Sequence, residues 1–175
     1  SGSSDKKTGW GASIREVEIY GIGDEDCNEP VSDAENIALG KKTEATSYAT
    51  PWWASAPMDG SNAVDGNYDT YWLSEGEDNV QSKCNQSLTV DLGAKYTIGR
   101  VFLQWQVEYG NIWDLQVSED GTNFKTIYRQ LQGNGEDEDI RCYVENVRYV
   151  RIQGILMGRG SGYSIRELQV YEYQQ

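Results

Sequence analysis

The 175-residue sequence contains no histidine, three cysteines, three prolines, two methionines and two phenylalanines. Without histidine there is no imidazole general base and no His-ligated zinc or copper site. The cysteines, Cys27, Cys84 and Cys142, form no CxxC pair, which argues against a thiolate metal site. One disulfide plus one free thiol, in any of three pairings, suits an extracellular protein; three buried free thiols is the other reading. Basic residues are scarce too: 15 Lys and Arg face 28 Asp and Glu, a net charge of −13. That field opposes nucleic acid and anionic membranes, whose binding relies on Lys and Arg neutralising phosphates. No apolar run approaches the ~20 residues of a membrane-spanning helix. Nor does a hydrophobic leader open the sequence. Ser1-Gly2-Ser3-Ser4 reads as an added tail, so the natural N-terminus is not visible.

What is present is 38% apolar residues, enough for a core at this length, with 19 Gly, 12 Tyr and 6 Trp. This mixture predicts many turns and an aromatic surface. No 3.6-residue period persists for three turns. Period-2 alternation recurs instead, in Leu88–Leu92, Val101–Trp105, Leu115–Ser118, Phe124–Tyr128, Ile140–Val144, Val147–Gln153 and Ile165–Tyr171. Asp120-Gly121 between two such runs predicts a hairpin with a type I′ turn. Short strands about ten residues apart predict an all-β fold, an antiparallel β-sandwich or jelly roll. The acidic run Glu136–Asp139 reads as a solvated turn.

An internal repeat bears on domain organisation. Gly9–Gly21 matches Gly160–Glu172 at seven of thirteen positions, offset by 151 residues, about one domain length. Residues 1–23 then read as the terminal strand of a preceding repeat, 24–32 as an acidic linker, and 33–175 as the domain. An extra strand of the same domain is the alternative for residues 9–21.

Four ordered blocks carry a resemblance. They are Asn36-Ile-Ala-Leu-Gly-Lys41 with Ala45-Thr-Ser47; Asn62-Ala-Val-Asp-Gly-Asn67 with Thr70-Tyr-Trp72; Leu88-Thr-Val-Asp-Leu-Gly93; and Tyr149-Val-Arg-Ile152 with Gly162-Tyr-Ser-Ile-Arg-Glu167. Together they resemble a discoidin domain, the coagulation factor V/VIII C-type domain, and within it the bacterial family 32 carbohydrate-binding modules. Leu103–Gly110 and Gln116–Gly121 are similar to modules attached to secreted bacterial β-glucanases and chitosanases. The resemblance implies a discoidin-like jelly roll of about eight strands with ligand loops at one end. It also implies a secreted or cell-surface bacterial protein without catalytic residues of its own.

The residues support a binding module independently. Sugars stack their C–H faces on exposed Trp and Tyr and exchange hydrogen bonds with planar amides, acids and Arg. Tyr48 to Pro57 places Trp52 and Trp53 side by side in a Pro/Ala/Ser loop, where both rings can reach solvent; at least one exposed ring is expected, the alternative for the other being a plug at the end of the sandwich. The family topology brings three further loops to the same end. Residues 71–79 offer Tyr71, Ser74, Glu75, Glu77 and Asp78; residues 105–111 offer Gln106, Glu108, Tyr109 and Asn111; residues 157–163 offer Arg159 and Tyr163. Trp72 and Trp105 are expected in the core. Relatives commonly carry Glu at the position of Gln106 and Arg at that of Tyr71. These departures shift the expected ligand from a glucosamine polymer toward neutral β-glucan.

Asp65, Asn67 and Asp69 stand at i, i+2 and i+4 with Thr70 adjacent, an oxygen-rich turn suited to Ca²⁺. The resemblance implies a structural calcium ion held by Asp65, Thr70 and Glu167, with carbonyls near Asn62 and Asn67. A plain Asp-Gly-Asn turn is the alternative. Glu16 matches Glu167 in the repeat. The expected partners are thus a polysaccharide or oligosaccharide, a tethered catalytic domain and a neighbouring repeat, with no nucleic acid and no membrane. An enzyme using Glu75 and Glu108 as acid and base is the second hypothesis, disfavoured because nothing singles out such a pair. Adhesion to protein or glycoconjugate is the third. Its membrane-binding form lacks support, because Arg159 and Lys83 are the only nearby basic residues.

Overall fold

A computed structural model describes residues 34–76 and 85–174. The predicted strand remnant and linker, and Glu77, Asp78, Lys83, Cys27 and Cys84, lie outside the described residues. Seven antiparallel strands are present among the described residues. They are β1 (Lys42–Ala45), β2 (Trp72–Leu73), β3 (Ser87–Trp105), β4 (Gly110–Ser118), β5 (Lys125–Gln130), β6 (Glu138–Met157) and β7 (Ser164–Glu172). One short 3-10 turn spans Gly60–Ala63.

The sheet order is β2-β7-β3-β6-β4-β5, with β1 added to β3. β3 and β6 are nineteen and twenty residues long because each joins two runs that the sequence reads as separate strands. Their registers shift between Asp91 and Tyr96 and again up to Arg100, next to Gly93 at φ +84° and Asn146 at φ +59°. Before this corner β3 pairs with β1 through Leu88–Asp91, and after it with β7 through Ile98–Trp105. The two long strands thus pass from one layer to the other, the usual way a bend makes the corner of a sandwich. The seven runs read in the sequence thus form five strands, and β1 and β2 bring the number to seven, close to the eight or so expected.

Alternation decides which side chains fill the interior. Leu88, Val90 and Leu92 of β3, Trp113 and Leu115 of β4, Val150 and Ile152 of β6, and Ile165, Leu168 and Val170 of β7 are all buried. Trp72 and Trp105 lie in the core, as the sequence predicts.

The β4–β5 hairpin is present, but its turn differs from expectation. Only Gly121 has positive φ (+76°), so Asp120 does not occupy the first position of a type I′ turn. The connection spans residues 119–124, and Asp120 organises it. Its Oδ1 accepts the amides of Thr122 and Asn123 at 2.8 Å each, and its Oδ2 accepts Asn123 Nδ2 at 2.7 Å. Those backbone donors hold the Asp120 carboxyl well below the usual carboxylate range.

On β4 the buried Asp114 accepts a bidentate pair from Arg129, Nε at 2.6 Å and the second guanidinium nitrogen at 2.8 Å. Thr126 adds a third donor at 3.0 Å. The Arg129 hydrogen bonds lower the Asp114 pKa, so this carboxylate stabilises the fold above the ordinary Asp range, and the contribution fades as pH falls through the depressed value. Asp114→Asn is expected to cost about 1–3 kcal/mol at pH 7. The gap to the parent should close on acidification, which chemical denaturation at pH 7 and pH 3 measures.

Candidate functional site

The Trp loop is pinned at its base and free at its tip. Ala49 N donates to Leu73 O at 2.8 Å, Met58 N to Ala49 O at 3.0 Å and Leu73 N to Met58 O at 3.0 Å, which attaches both loop stems to β2. Between them a tight turn closes through Ala54 N to Pro51 O at 2.9 Å and lifts the two indoles outward. Trp52 is 94% exposed and Trp53 56%. Apolar rings of this size at such exposure are unusual unless something covers them in function.

Two concavities flank the loop. Trp53 and Tyr71 line a cleft of about 330 Å³, closed by Pro57, Met58, Asn62 and Thr70. On the other flank, Tyr48 and Glu75 face a groove of about 590 Å³ with Thr46, Ser47 and Thr50. Ser47 links this groove to the core. Its Oγ accepts Glu75 N at 3.0 Å and donates to Gln86 Oε1 at 2.6 Å, while its carbonyl accepts Trp72 Nε1 at 2.9 Å. Glu75 is exposed, and its carboxylate makes no hydrogen bond or ion pair among the described residues.

The β3–β4 loop is packed against the glycine-rich segment before β7. Glu108 Oε1 accepts Ser161 N at 3.2 Å, and Gly158 N donates to Tyr109 O at 2.8 Å. A side chain at Gly158 would begin 2.1 Å from the Tyr109 ring, so glycine is required for that approach. The Tyr71 phenol has its pKa pushed up, first by burial and then by the Glu108 charge, with Arg166 opposing. Tyr71 and Glu108 therefore share one neighbourhood, although 37 residues separate them in the sequence.

Three predicted ligand residues fall differently. Tyr163 is 1% exposed, which corrects its assignment to the ligand surface. Its ring lies tilted against Trp105 at 6.4 Å and over Gly154, where a Cβ would sit 2.3 Å from the ring; it is a core residue. Gln106 is half-buried, and its Oε1 accepts the Ser164 hydroxyl at 3.2 Å. Arg159 is exposed and, among the described residues, borders neither flanking concavity. Sequence reading missed Met58, Thr50 and Ser47 as wall residues. Only Ser47 had a signal, since it closes the Ala45-Thr-Ser block.

The predicted cation loop is built around Asp65. Asp65 Oδ1 accepts Asn67 N at 2.8 Å, and the Thr70 hydroxyl lies 2.8 Å from Asp65 Oδ2 and 2.7 Å from Asn67 O. Asn62 donates its side-chain amide to Tyr71 O at 3.2 Å. Glu167 arrives from β7, fully buried, with Oε1 accepting Gly66 N at 2.9 Å and Oε2 buried without a hydrogen-bond partner. Desolvation pushes Glu167 up to about 7, and the neighbouring Asp65 charge adds to the shift. Two carboxylates this close, one with an orphaned buried oxygen, fit a hard divalent cation, which would remove both the desolvation and the repulsion. No group of three or more His, Cys, Asp or Glu placed to hold a metal ion occurs among the described residues, so the remaining ligands would be neutral oxygens such as Asn67 O and Thr70 Oγ1.

Comparison with known proteins gives this arrangement a family. Residues 62–152 match the F5/F8 type C family described as NedA-like, galactose-binding domain. The chain belongs to that family. Among solved structures, chitosan-binding module 1 of a chitosanase/glucanase from Paenibacillus sp. IK-5 is 33% identical at a TM-score of 0.68, over 78% of this chain and 98% of that one. Module 2 of the same enzyme, in complex with chitotriose, is 32% identical at a TM-score of 0.68, over 78% of this chain and 99% of that one. The Clostridium perfringens module CpGH89CBM32-5, in complex with GalNAc-β-1,3-galactose, is 26% identical at a TM-score of 0.61, over 79% of this chain and 99% of that one. A curated relative, the polysaccharide lyase 8 family protein HylA of Enterococcus faecalis, is 29% identical over 109 residues. That match covers 60% of this chain but 7% of the relative's length. The chain is thus a discoidin-like, non-catalytic module with the fold of carbohydrate-binding modules. No helix among the described residues is long and apolar enough to cross a membrane.

Proposed function

We propose that this discoidin-like module binds a β-linked polysaccharide through its Trp loop and tethers a catalytic domain of a secreted bacterial enzyme to that substrate. The exposed Trp52–Trp53 pair, between the Tyr48–Glu75 groove and the Trp53–Tyr71 cleft, carries the reading. Stacked pyranose faces would cover the indoles, and the acid and phenols would read hydroxyls. A glucosamine polymer is the favoured ligand. The Glu75 carboxylate, unpaired among the described residues and beside Tyr48, and the net charge of −13 both attract ammonium groups. Gln106, whose lost acid pointed to neutral β-glucan, uses its carbonyl oxygen on Ser164 and carries less weight. The likeness to chitosan-binding modules supports the same ligand class.

Two further parts belong to this reading. A structural Ca²⁺ bound by Asp65, Thr70 and Glu167 would tie β7 to the loop beside the Trp53 cleft. A neighbouring repeat, of which Gly9–Gly21 is the last strand, would raise avidity through effective concentration. The repeat keeps Ser13, Ile14, Glu16, Val17 and Ile19 at the places of Ser164, Ile165, Glu167, Leu168 and Val170, the five buried positions of β7.

Affinity electrophoresis in gels containing chitosan or laminarin tests the site. Trp53→Ala and Tyr48→Ala are each expected to weaken retention about 10- to 150-fold, because burying an exposed aromatic side chain is worth about 1.5–3 kcal/mol. Glu75→Gln should weaken retention by chitosan and leave laminarin unchanged. Retention of all three variants at parental strength would remove the Trp loop as the site.

A further inference from the structure

A second groove lies on the outer face of the layer formed by β1, the first half of β3, the second half of β6, and β4. Register places it. Ser87, where Thr46 joins the Trp-loop side, begins β3, and Asp91 lies at the far end of that run. Ser118 likewise ends β4 at the far end from Gly110. Cross-strand neighbours then form two rows on one face. Lys42, Asp91, Tyr149 and Ser118 make the first; Glu44, Thr89, Arg151 and Gln116 make the second. The 119–124 turn folds back over the rows, with Gly121 so close to the Tyr149 ring that a Cβ would sit 3.0 Å from it. Phe124 follows, stacked on the Arg151 guanidinium at 3.5 Å. Between this turn and the β1 edge remains a polar cavity of about 230 Å³. It is smaller than the ~300 Å³ of sites for drug-sized ligands, and so has room for one ring rather than a chain.

The unengaged groups around the cavity identify the ligand. Asp91 is used by a bidentate pair from Arg148 at 2.8 and 2.9 Å, and Asp120 by its own turn. Arg151 donates Nε to Thr89 at 3.0 Å, while its terminal nitrogens make no hydrogen bond or ion pair among the described residues. Lys42, the Glu44 carboxylate and the Tyr149 hydroxyl make no hydrogen bond or close ion pair among the described residues, with Lys42 acting on Asp91 and Glu44 on Arg151 only through their charge. Lys42, the Glu44 carboxylate and the Tyr149 phenol, which line this ring-sized space, offer donors and an acceptor side by side. Vicinal hydroxyls, each both donor and acceptor, match that set. An anionic ligand does not, because Glu44, Asp91 and Asp120 outnumber Lys42 on the lining, and a cationic one would meet the Lys42 ammonium.

We infer that this groove is a second saccharide site, taking a single uncharged pyranose unit between Glu44, Lys42, Thr89 and Tyr149. The inference rests on the carbohydrate-binding reading and adds to it.

Titration of the ¹⁵N-labelled chain with laminaritriose, then with chitotriose, tests it by amide shifts. Laminaritriose is expected to move the amides of Thr89, Gly121 and Tyr149. The double variant Lys42→Ala/Glu44→Ala should weaken this response at least tenfold and leave loop shifts around Tyr48 and Trp53 unchanged. Both substituted residues are exposed on a strand edge, and Thr89→Val, nearly isosteric, provides a second test should the double variant fold poorly. Trp53→Ala should leave the groove response intact. Loop amides that respond while groove amides stay silent would overturn the inference and keep the proposed function. Silence at both places toward both sugars would overturn the two together.

Discussion

In chelator, the protein is expected to lose stability as pH rises from about 5 to 8, and calcium should reverse that loss. The cause is Glu167, held buried on β7 with one carboxylate oxygen unpartnered and its pKa raised to about 7. An unfolded Glu releases its proton near ~4.3. Between the two values the folded chain binds the extra proton, so stability is full below the unfolded pKa and declines as pH climbs through about 7. At about 1.4 kcal/mol per pH unit, the loss is on the order of 3 kcal/mol. A calcium ion would replace the proton with a stronger positive charge and join Glu167 to Asp65 and Thr70. At a hundredfold excess over Kd it would add about 2.7 kcal/mol, several degrees of Tm for a domain of this size. The gain should be larger at pH 8 than at pH 5, where the ion must displace a proton. Thermal melts at both pH values, in EDTA and in CaCl2, read the effect. Glu167→Gln keeps the side-chain volume and should abolish both the pH slope and the calcium response. An undiminished calcium shift in that variant would place the ion elsewhere.

Trp113→Ala is expected to be the most damaging single change in the core, at about 3–5 kcal/mol. Trp113 is fully buried on β4. It packs edge-on against Trp105 at 5.7 Å and tilted against Tyr128 at 5.6 Å, with Gly110 fitted over its ring. Removing it would leave a large void between two aromatics held by different strands, and neither could move to fill it without breaking ladder pairs. Trp113→Phe should cost much less, under about 2 kcal/mol, for two reasons. It keeps an aromatic ring at the junction, and it removes an indole nitrogen that is buried without a hydrogen-bond partner. Denaturant midpoints of the two variants make the comparison. Equal losses would mean that the ring contacts matter less than the total volume filled. Since Trp105 precedes the 106–109 loop directly, the Ala variant should also disturb that loop, visible as weakened polysaccharide retention even below the unfolding midpoint.

Much of this architecture was legible in the residues because β-strand periodicity is local. The alternation in Leu88–Leu92 or Ile165–Tyr171 records which side chains face inward, whatever the strand's neighbours. That the Trp loop exposes at least one ring was legible for a related reason, since adjacent large rings in a Pro/Ala loop have no single interior face to share; that both are exposed was decided by the fold. The oxygen-rich turn at Asp65–Thr70 was readable from spacing, and its link to Glu167 from the family resemblance.

Other features depended on approach between distant segments. That Leu88–Leu92 and Val101–Trp105 form one strand bent near Gly93, not two, follows from pairing with β1 and then β7, which no local pattern encodes. Tyr163 belongs to the core because Gly154 on β6 leaves space for its ring, a relation between residues on different strands. Asp120-Gly121 looked like a two-residue hairpin turn until the Asp120 carboxylate gathered the amides beyond it. Composition and period thus determined an aromatic, acidic, all-β module, because those properties belong to individual residues and their nearest neighbours. Which phenol meets solvent, which carboxylate is stranded in the interior and which polar side chains share a groove were decided only in three dimensions, where burial and pairing are set by contacts between residues far apart in the sequence.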